Sequence, residues 1–293
     1  MLQQKRLLFV LNPIAGGISK KSIKEQVITF CESNSIVAEF YETEGSHSDK
    51  VYLNMAIANN PPDAVIAIGG DGTVNEVGKA LLYTKVPLGI IHGGSANGLA
   101  TDLDIPAKPE EALQVIRKFT AKSIDILSIN GHYCFHMSDI GFNARVCHRF
   151  AASALRGKAF YGWSALREFA SFKPFSFEIE TNYTVEAGEA FMMTITNSNK
   201  FGTNITINPF GVIDDGFFEI GIILPFPKIL FLSIMKLLIT GKIYESSYYK
   251  VFRCSEARIY NKNKELFHID GEPVYLSDTL EIRMIPKSLR VLI

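Results

Sequence analysis

The chain has 293 residues, with 30 Lys and Arg against 30 Asp and Glu, 47% apolar residues and 20% charged ones. That length suits one large domain or two ordinary ones and can bury a core without a disulfide or metal. The composition excludes collagen, a disordered chain and a highly basic nucleic-acid binder. Phe alone numbers 21, an apolar surplus that belongs either to a core or to surface that meets lipid.

Strands and helices alternate through the first 120 residues. Arg6–Leu11 reads as a strand, its apolar run too short for a signal-peptide core followed by a cleavage site. Ser22–Glu32 has helical spacing, with Ile23, Val27, Ile28 and Cys31 on one stripe. Ile36–Tyr41 (strand), Asp49–Asn59 (helix), Ala64–Ile68 (strand), Val74–Tyr83 (helix), Pro87–Ile91 (strand) and Glu110–Phe119 (helix) follow. This alternation predicts a parallel sheet covered on both faces. From Ile124 strands dominate: Ile124–Ile129, Tyr133–Met137, Phe175–Thr181, Ala190–Asn197, Phe217–Ile223, Arg258–Asn261 and Leu280–Met284. Helical stretches near Ala144–Ser171 and Lys228–Thr240 interrupt them. The expected architecture is an α/β nucleotide-binding domain over residues 1–123 and a β-rich, sandwich-like lipid-acceptor domain over 124–283, with the last strand, near 284–293, free to return to the first.

Four cysteines, Cys31, Cys134, Cys147 and Cys254, show no CxxC pair and no zinc spacing, which predicts reduced thiols in a cytoplasmic protein. Lys228, Lys236 and Lys242 interrupt the apolar stretch Leu224–Ile243, so it fails as a spanning helix. A core-facing amphipathic helix is favoured over one lying at headgroup level, since most such stripes face a core.

Three loops after strands are rich in Gly or small polar residues. They are Asn12-Pro13-Ile14-Ala15-Gly16-Gly17, Gly69-Gly70-Asp71-Gly72-Thr73 and Gly93-Gly94-Ser95-Ala96-Asn97-Gly98. Ligands of open parallel sheets bind beyond the carboxyl ends of the strands, and glycines let backbone N–H groups reach a phosphate. No loop is GxxxxGK[ST], and none is GxGxxG with a later acid, so a P-loop and a Rossmann site are disfavoured. Asp71 among these amides would repel phosphate unless Mg²⁺ lies between, and it also suits a helix N-cap. Glu76, three residues past Thr73, can close a capping box with it. Two acidic turns, Asp214-Asp215-Gly216 and Asp270-Gly271-Glu272, are commonplace by themselves.

Together these residues resemble the diacylglycerol-kinase catalytic fold of lipid kinases, over nearly the whole chain. Asn12-Pro13 with Gly16-Gly17 is similar to the family's first phosphate loop, and Thr43 and His47 fall where the family has a Thr and a following His. Gly69-Gly70-Asp71-Gly72-Thr73-Val74-Asn75-Glu76 is similar to its diagnostic glycine loop. Asp214-Asp215-Gly216 with Glu219 matches a loop that holds a structural metal in bacterial members, and Asp270-Gly271-Glu272 matches the catalytic acidic loop. Gly94–Ala100 looks more like the sphingosine- and ceramide-kinase version of the third loop. Yet Gly141-Phe142-Asn143-Ala144-Arg145-Val146 places Arg145 where sphingosine kinases carry an acid for the substrate amine, which disfavours a cationic acceptor.

The resemblance implies transfer of the ATP γ-phosphoryl group to a lipid hydroxyl, diacylglycerol or a related lipid alcohol, with Mg²⁺. It implies nucleotide contacts from Asn12, Pro13, Gly16, Thr43, Gly69, Gly70, Gly72, Thr73, Glu76, Ser95 and Asn97. Asp71 would bind catalytic Mg²⁺, Asp270 or Glu272 would deprotonate the acceptor, and Asp215 with the carbonyls of Val212 and Phe217 would hold a structural metal. The acceptor is expected from transient, peripheral contact with a membrane surface. Nucleic acid is not expected as a partner, and relatives are commonly homodimers. Sphingoid or ceramide kinase, NAD kinase and a non-catalytic nucleotide- or lipid-binding homologue are the alternatives, in that order.

Overall fold

A computed structural model describes residues 4–13, 20–94, 96–153, 158–201, 205–275 and 277–293. The chain divides into two compact units, Met1–Ile124 with Lys287–Ile293, and Asp125–Pro286.

The first unit begins with β1 (Arg6–Leu11), α1 (Lys20–Ser33), β2 (Val37–Glu42), α2 (His47–Asn59), β3 (Ala64–Gly69), α3 (Asp71–Leu81) and β4 (Leu88–His92). It continues through α4 (Gly98–Asp102) and α5 (Pro109–Lys118) into β5 (Ala121–Ile129), whose last residues belong to the second unit. The sheet order is β2-β1-β3-β4, all parallel. β3 and β4 are buried at every residue, as near-continuous apolar runs in a parallel sheet require. α5 carries Pro109 in its first turn, acids Glu110 and Glu111 beside it, and Arg117 and Lys118 at its end, so charge and macrodipole agree.

The second unit continues with β6 (His132–Cys134), β7 (Met137–Gly141), α6 (Phe142–Ala152), α7 (Lys158–Ser171), β8 (Phe175–Thr181), β9 (Val185–Ala190), β10 (Met192–Thr196), β11 (Lys200–Phe201), β12 (Ile205–Thr206) and β13 (Phe218–Ile223). A 3₁₀ turn, Lys228–Leu230, leads into α8 (Phe231–Ile239). β14 (Tyr249–Cys254), β15 (Glu256–Tyr260), β16 (Phe267–Ile269), β17 (Glu272–Val274) and β18 (Thr279–Leu292) complete the chain. One antiparallel sheet runs β14-β13-β10-β7-β16-β17. A second group pairs β18-β15-β8-β9 antiparallel. Ile140, Ile195 and Ile220 of the first sheet share one core with Ile179, Ile259 and Ile282 of the second group. The result is a sandwich-like β unit, matching the fold class expected from sequence.

Several elements differ from the sequence reading. α3 starts at Asp71, with Gly70 as N-cap, so Thr73 is the third helical residue and Glu76 the sixth, and the Thr73–Glu76 capping box does not form. The Ala144–Ser171 stretch is two helices, with residues 154–157 between them outside the described set. β14 is missing from the sequence reading, and the Asp270-Gly271 turn, read there without strand bounds, joins β16 to β17 as a hairpin. β9 is missing too, and its mostly exposed residues leave too little apolar alternation to see. α8 buries Ile234 and Leu238 yet exposes Leu232 and Ile239, so it is core-facing on one side only. All four cysteines are free and buried.

Candidate functional site

In the first unit the parallel register sets one edge. Leu11 pairs with Glu42 and with Ile68, and Gly69 with His92, so all four strands end together. The loops leaving those ends are tied by backbone bonds: Asn12 N–H donates to the Ile68 carbonyl, Thr43 N–H to Leu11, and Gly93 N–H to Gly69. Asn12, Thr43, Gly69, Gly70, Gly72, Thr73 and Asn97 therefore lie along this edge, with Pro13 following Asn12 and Glu76 exposed on α3. Gly16, Gly17 and Ser95 lie outside the described residues.

The second and third loops press together where only glycine fits. A Cβ on Gly94 would stand 2.4 Å from the Gly70 Cα. Asp71 closes the junction: its Oδ2 accepts Asn97 N–H at 3.0 Å and its Oδ1 accepts Gly98 N–H at 2.6 Å. Asn97, left-handed at φ 53°, folds its side chain back so that Oδ1 accepts Gly94 N–H and Nδ2 donates to the Gly94 carbonyl. Asn tolerates that conformation better than most residues. Two buried hydroxyls at the edge, those of Thr43 and Thr73, have no hydrogen-bond partner among the described residues. A buried orphan hydroxyl costs roughly 1–3 kcal/mol. Two on the same sheet edge, one after β2 and one in the first turn of α3, fit a ligand that supplies acceptors, such as a polyphosphate. Asp71 keeps carboxylate lone pairs beyond its two amide contacts, which leaves it able to reach a cation bound to such a ligand.

Asp49 is a structural acid at this edge that the sequence reading missed. It is 1% exposed and accepts the Tyr41 hydroxyl and the N–H groups of Glu44, Gly45 and Ser46, fixing the loop after Thr43. Burial pushes its carboxyl up, but those hydrogen bonds outweigh it and hold the group below its ordinary value. Burial also pushes the His92 imidazole down, while its Nε2 meets the Ile105 carbonyl at 3.0 Å.

In the second unit Asp270 and Gly271 form the two-residue turn of the β16–β17 hairpin, with φ of +51° and +83°. Asp-Gly is the dipeptide this turn favours, because both central residues need positive φ. The Asp270 carboxylate lies against backbone amides: Oδ2 accepts Phe135 N–H at 2.9 Å, and Oδ1 accepts His136 N–H at 2.8 Å and Met137 N–H at 3.1 Å. Glu272, by contrast, is exposed on β17. Beneath the turn sits a buried network that the sequence reading did not find. His268 Nδ1 accepts Gly271 N–H, and His268 Nε2 lies 2.9 Å from Asp139 Oδ2. Asp139 also accepts the Thr194 hydroxyl at 2.5 Å and the Asn143 amide. An acid inside the fully buried β7 run Met-Ser-Asp-Ile-Gly was the available signal.

The acidic loop at 214–216 has a protein cation. Asp215 Oδ2 meets the Arg253 guanidinium at 2.6 Å while Oδ1 accepts Phe217 N–H, and Arg253 also lies 3.4 Å from Glu219 and stacks over Phe217. Burial pushes the Glu219 carboxyl up. Asp125, also missed, accepts Gly216 N–H and sets the position of the loop. Among the described residues no group of three or more His, Cys, Asp or Glu side chains is arranged to hold a metal. Asp215 is engaged by Arg253 and Phe217 N–H, so a cation held at this loop would share that carboxylate with the Arg253 guanidinium. Arg145 forms a two-pronged ion pair with Glu265, so its charge is matched and repels a cationic amine less than the residue alone implies. Among the described residues no helix is long and apolar enough to cross a membrane.

The family profile of the diacylglycerol kinase catalytic domain matches residues 6–129, and that of the YegS C-terminal NAD kinase beta sandwich-like domain matches residues 137–293. The chain is 26% identical to the "Probable lipid kinase YegS-like" of Alcanivorax borkumensis over 302 positions, covering 98% of this chain and 96% of that protein. It is 31% identical to a Yersinia pestis protein of the same name over 236 residues, 78% of each chain. A Bacillus subtilis diacylglycerol kinase is 24% identical, covering 92% and 90%. A solved diacylglycerol kinase structure from Bacillus anthracis superposes with a TM-score of 0.78 at 18% identity, over 100% of this chain and 98% of that one, a likeness of fold. The chain belongs to the lipid-kinase family that joins a diacylglycerol kinase catalytic domain to a YegS-type C-terminal domain, and it is an ATP-dependent phosphotransferase.

Proposed function

We propose that this lipid kinase transfers the γ-phosphoryl group of ATP to the hydroxyl of diacylglycerol or a related neutral lipid alcohol. The observation that carries the nucleotide half is the glycine-only junction of Gly70 and Gly94, closed by Asp71 and bordered by the orphan hydroxyls of Thr43 and Thr73. These hydroxyls and the backbone amides of Gly70, Gly72 and Thr73 hold the phosphates. Asn12, Pro13, Gly69 and Asn97 border the cradle, and Gly16, Ser95 and Glu76 are proposed as further nucleotide contacts. When bound, Mg²⁺ neutralises the phosphate charge that builds up during transfer. Asp71 holds that ion directly or through water while its amide contacts keep the two loops together.

Asp270 or Glu272 takes the proton from the acceptor hydroxyl. Asp270 lies against three amides and Glu272 does not, so the two substitutions separate the roles. The base's amide variant loses activity at every pH, whereas a turn-shaping residue's variant keeps a reduced rate with the pH profile retained. A neutral acceptor is favoured because the β7–α6 segment offers Arg145, matched by Glu265, and no unmatched acid for an amine. Radiolabelled ATP offered with diacylglycerol, ceramide, sphingosine and NAD in parallel tests the whole reading. Label in phosphatidate is the expected result, and label in the NAD product alone would replace the reading with NAD kinase.

A further inference from the structure

The polar side chains buried beneath the acidic turn do nothing that the β core needs. β7 lies inside its sheet, between β10 and β16, and every residue of Met137–Gly141 is buried. Asp139 is 0% exposed and His268 2%, and Thr194 and Asn143 are buried beside them. An ionised acid at such a place is costly unless it is fully hydrogen-bonded, and apolar side chains of like volume often replace a buried ion pair with no loss of stability. The network therefore answers to something other than packing, and its direction says to what.

Donors and acceptors fix one orientation throughout. The Tyr161 hydroxyl donates to Asn143 Oδ1 at 2.6 Å, which turns the Asn143 amide nitrogen toward Asp139 Oδ2. The His268 ring offers its Nε2–H to the same oxygen, 2.9 Å away, because Nδ1 is taken as the acceptor of Gly271 N–H at 3.2 Å. The Thr194 hydroxyl satisfies the other carboxylate oxygen. Asp139 thus keeps a proton on Nε2, and the chain of bonds ends on the peptide between Asp270 and Gly271. That N–H has no backbone acceptor among the described residues, since the hairpin ladder pairs Ile269 with Glu272 around it. Glycine at φ +83° has no side chain to resist rotation of this peptide, and His268 is the group that holds it. Rotation there would redirect Asp270 and Glu272 relative to each other, and small misplacements of reacting groups cost large factors in rate. We infer that His268 is a positioning residue of phosphoryl transfer: with Nε2–H held by Asp139, its Nδ1 pins the Gly271 peptide and so fixes Asp270 and Glu272 against the acceptor hydroxyl. The inference deepens the proposed kinase reading and rests on it, because it takes the base from this turn.

Two substitutions separate the jobs of the two ring nitrogens. His268→Asn leaves an amide oxygen where Nδ1 stood, so the hold on Gly271 is kept and the bond to Asp139 is lost. His268→Gln leaves an amide nitrogen where Nε2 stood, so Asp139 stays satisfied and Gly271 is released. The full-length proteins are compared in steady-state kinetics with ATP and the lipid that the parallel labelling assay identifies. Melting temperature, and hydrogen exchange of the Gly271 amide by NMR without substrates, are measured alongside. His268→Gln is expected to keep the higher melting temperature yet to lose about tenfold or more in kcat with KM for ATP unchanged, and to exchange Gly271 N–H faster. His268→Asn is expected to keep kcat within a few-fold of the wild type. Activity that follows melting temperature, with His268→Gln the more active variant, overturns the proposal, because a purely structural role predicts that order. If His268→Asn does not fold, His268→Gln decides alone: kcat within about twofold of the wild type, or a Gly271 amide as protected as in the wild type, overturns the proposal. A wild type that phosphorylates none of the offered lipids would sink the kinase reading instead, and the Gly271 exchange would still report whether His268 holds the turn.

Discussion

Asp71 holds two loops with one carboxylate, and its neighbours show why no other side chain serves. Its oxygens accept amides from Asn97 and Gly98, and its position as first residue of α3 places negative charge at the positive end of the helix. Asp71→Ala should abolish turnover on lipid and ATP, with circular dichroism checking that the fold survives the loss of two hydrogen bonds to a carboxylate, about 1.5–3 kcal/mol each. Near-normal phosphorylation by the folded variant would refute its role. Asp49 gives a prediction in pH. Its folded carboxyl is held below the unfolded value of about 3.9, so its stabilisation is complete above that value and is lost as pH falls through the folded value. The wild type should therefore lose stability below about pH 4 more steeply than Asp49→Asn, read as the slope of melting temperature against pH. The sequence displayed Asp71 because glycines flank it. It hid Asp49, whose four donors come together only when the loop after β2 closes on α2.

Single elements show how the acidic turn is held. β7, β10 and β16 meet at Asp139, where Thr194 and His268 converge from the two neighbouring strands, and His268 carries the bond to Gly271 in the turn. Removing one partner of a buried charged network leaves the others unpaired. Asp139→Ala should thus destabilise the protein by about 3–5 kcal/mol, measured by urea unfolding. A value within the range of surface substitutions, about 0.5 kcal/mol, would mean that the network relaxes around the gap. The Asp-Gly turn was legible as a turn, since its residue types suit positive φ. The network beneath it was not, because Asp139, Thr194 and His268 are 55 and 129 residues apart in their two contacts with the acid.

At the scale of the whole molecule, β18 contributes to both units. Its last residues pair beside β4 through Val291 and Leu88, and Tyr83 N–H donates to the Ser288 carbonyl. Leu289, Val291 and Leu292 are all at most 1% exposed. Burying three such side chains contributes roughly 5–9 kcal/mol at about 1.5–3 each, comparable with the full stability of a typical domain. A chain ending at Pro286 should therefore lose hydrogen-exchange protection in β1, β3 and β4. Retained protection there would show that the first unit folds without its last strand.

The sequence by itself determined the alternation of the first unit, the three glycine loops, the Asp-Gly turn and the lipid-kinase resemblance. Those features are written in local spacing and in residue types that only certain backbones accept. Tertiary structure decided what long-range pairing controls. It paired Asp215, in the loop before β13, with Arg253 on β14, matched Arg145 with Glu265, and left the Thr43 and Thr73 hydroxyls without partners among the described residues. It also decided the apolar surplus. Much of it is buried, in the first unit around its parallel sheet and in two packed clusters of the second unit, while a stripe on α7 and α8 faces solvent, because a helix that is apolar on both sides can bury only one of them against its own chain.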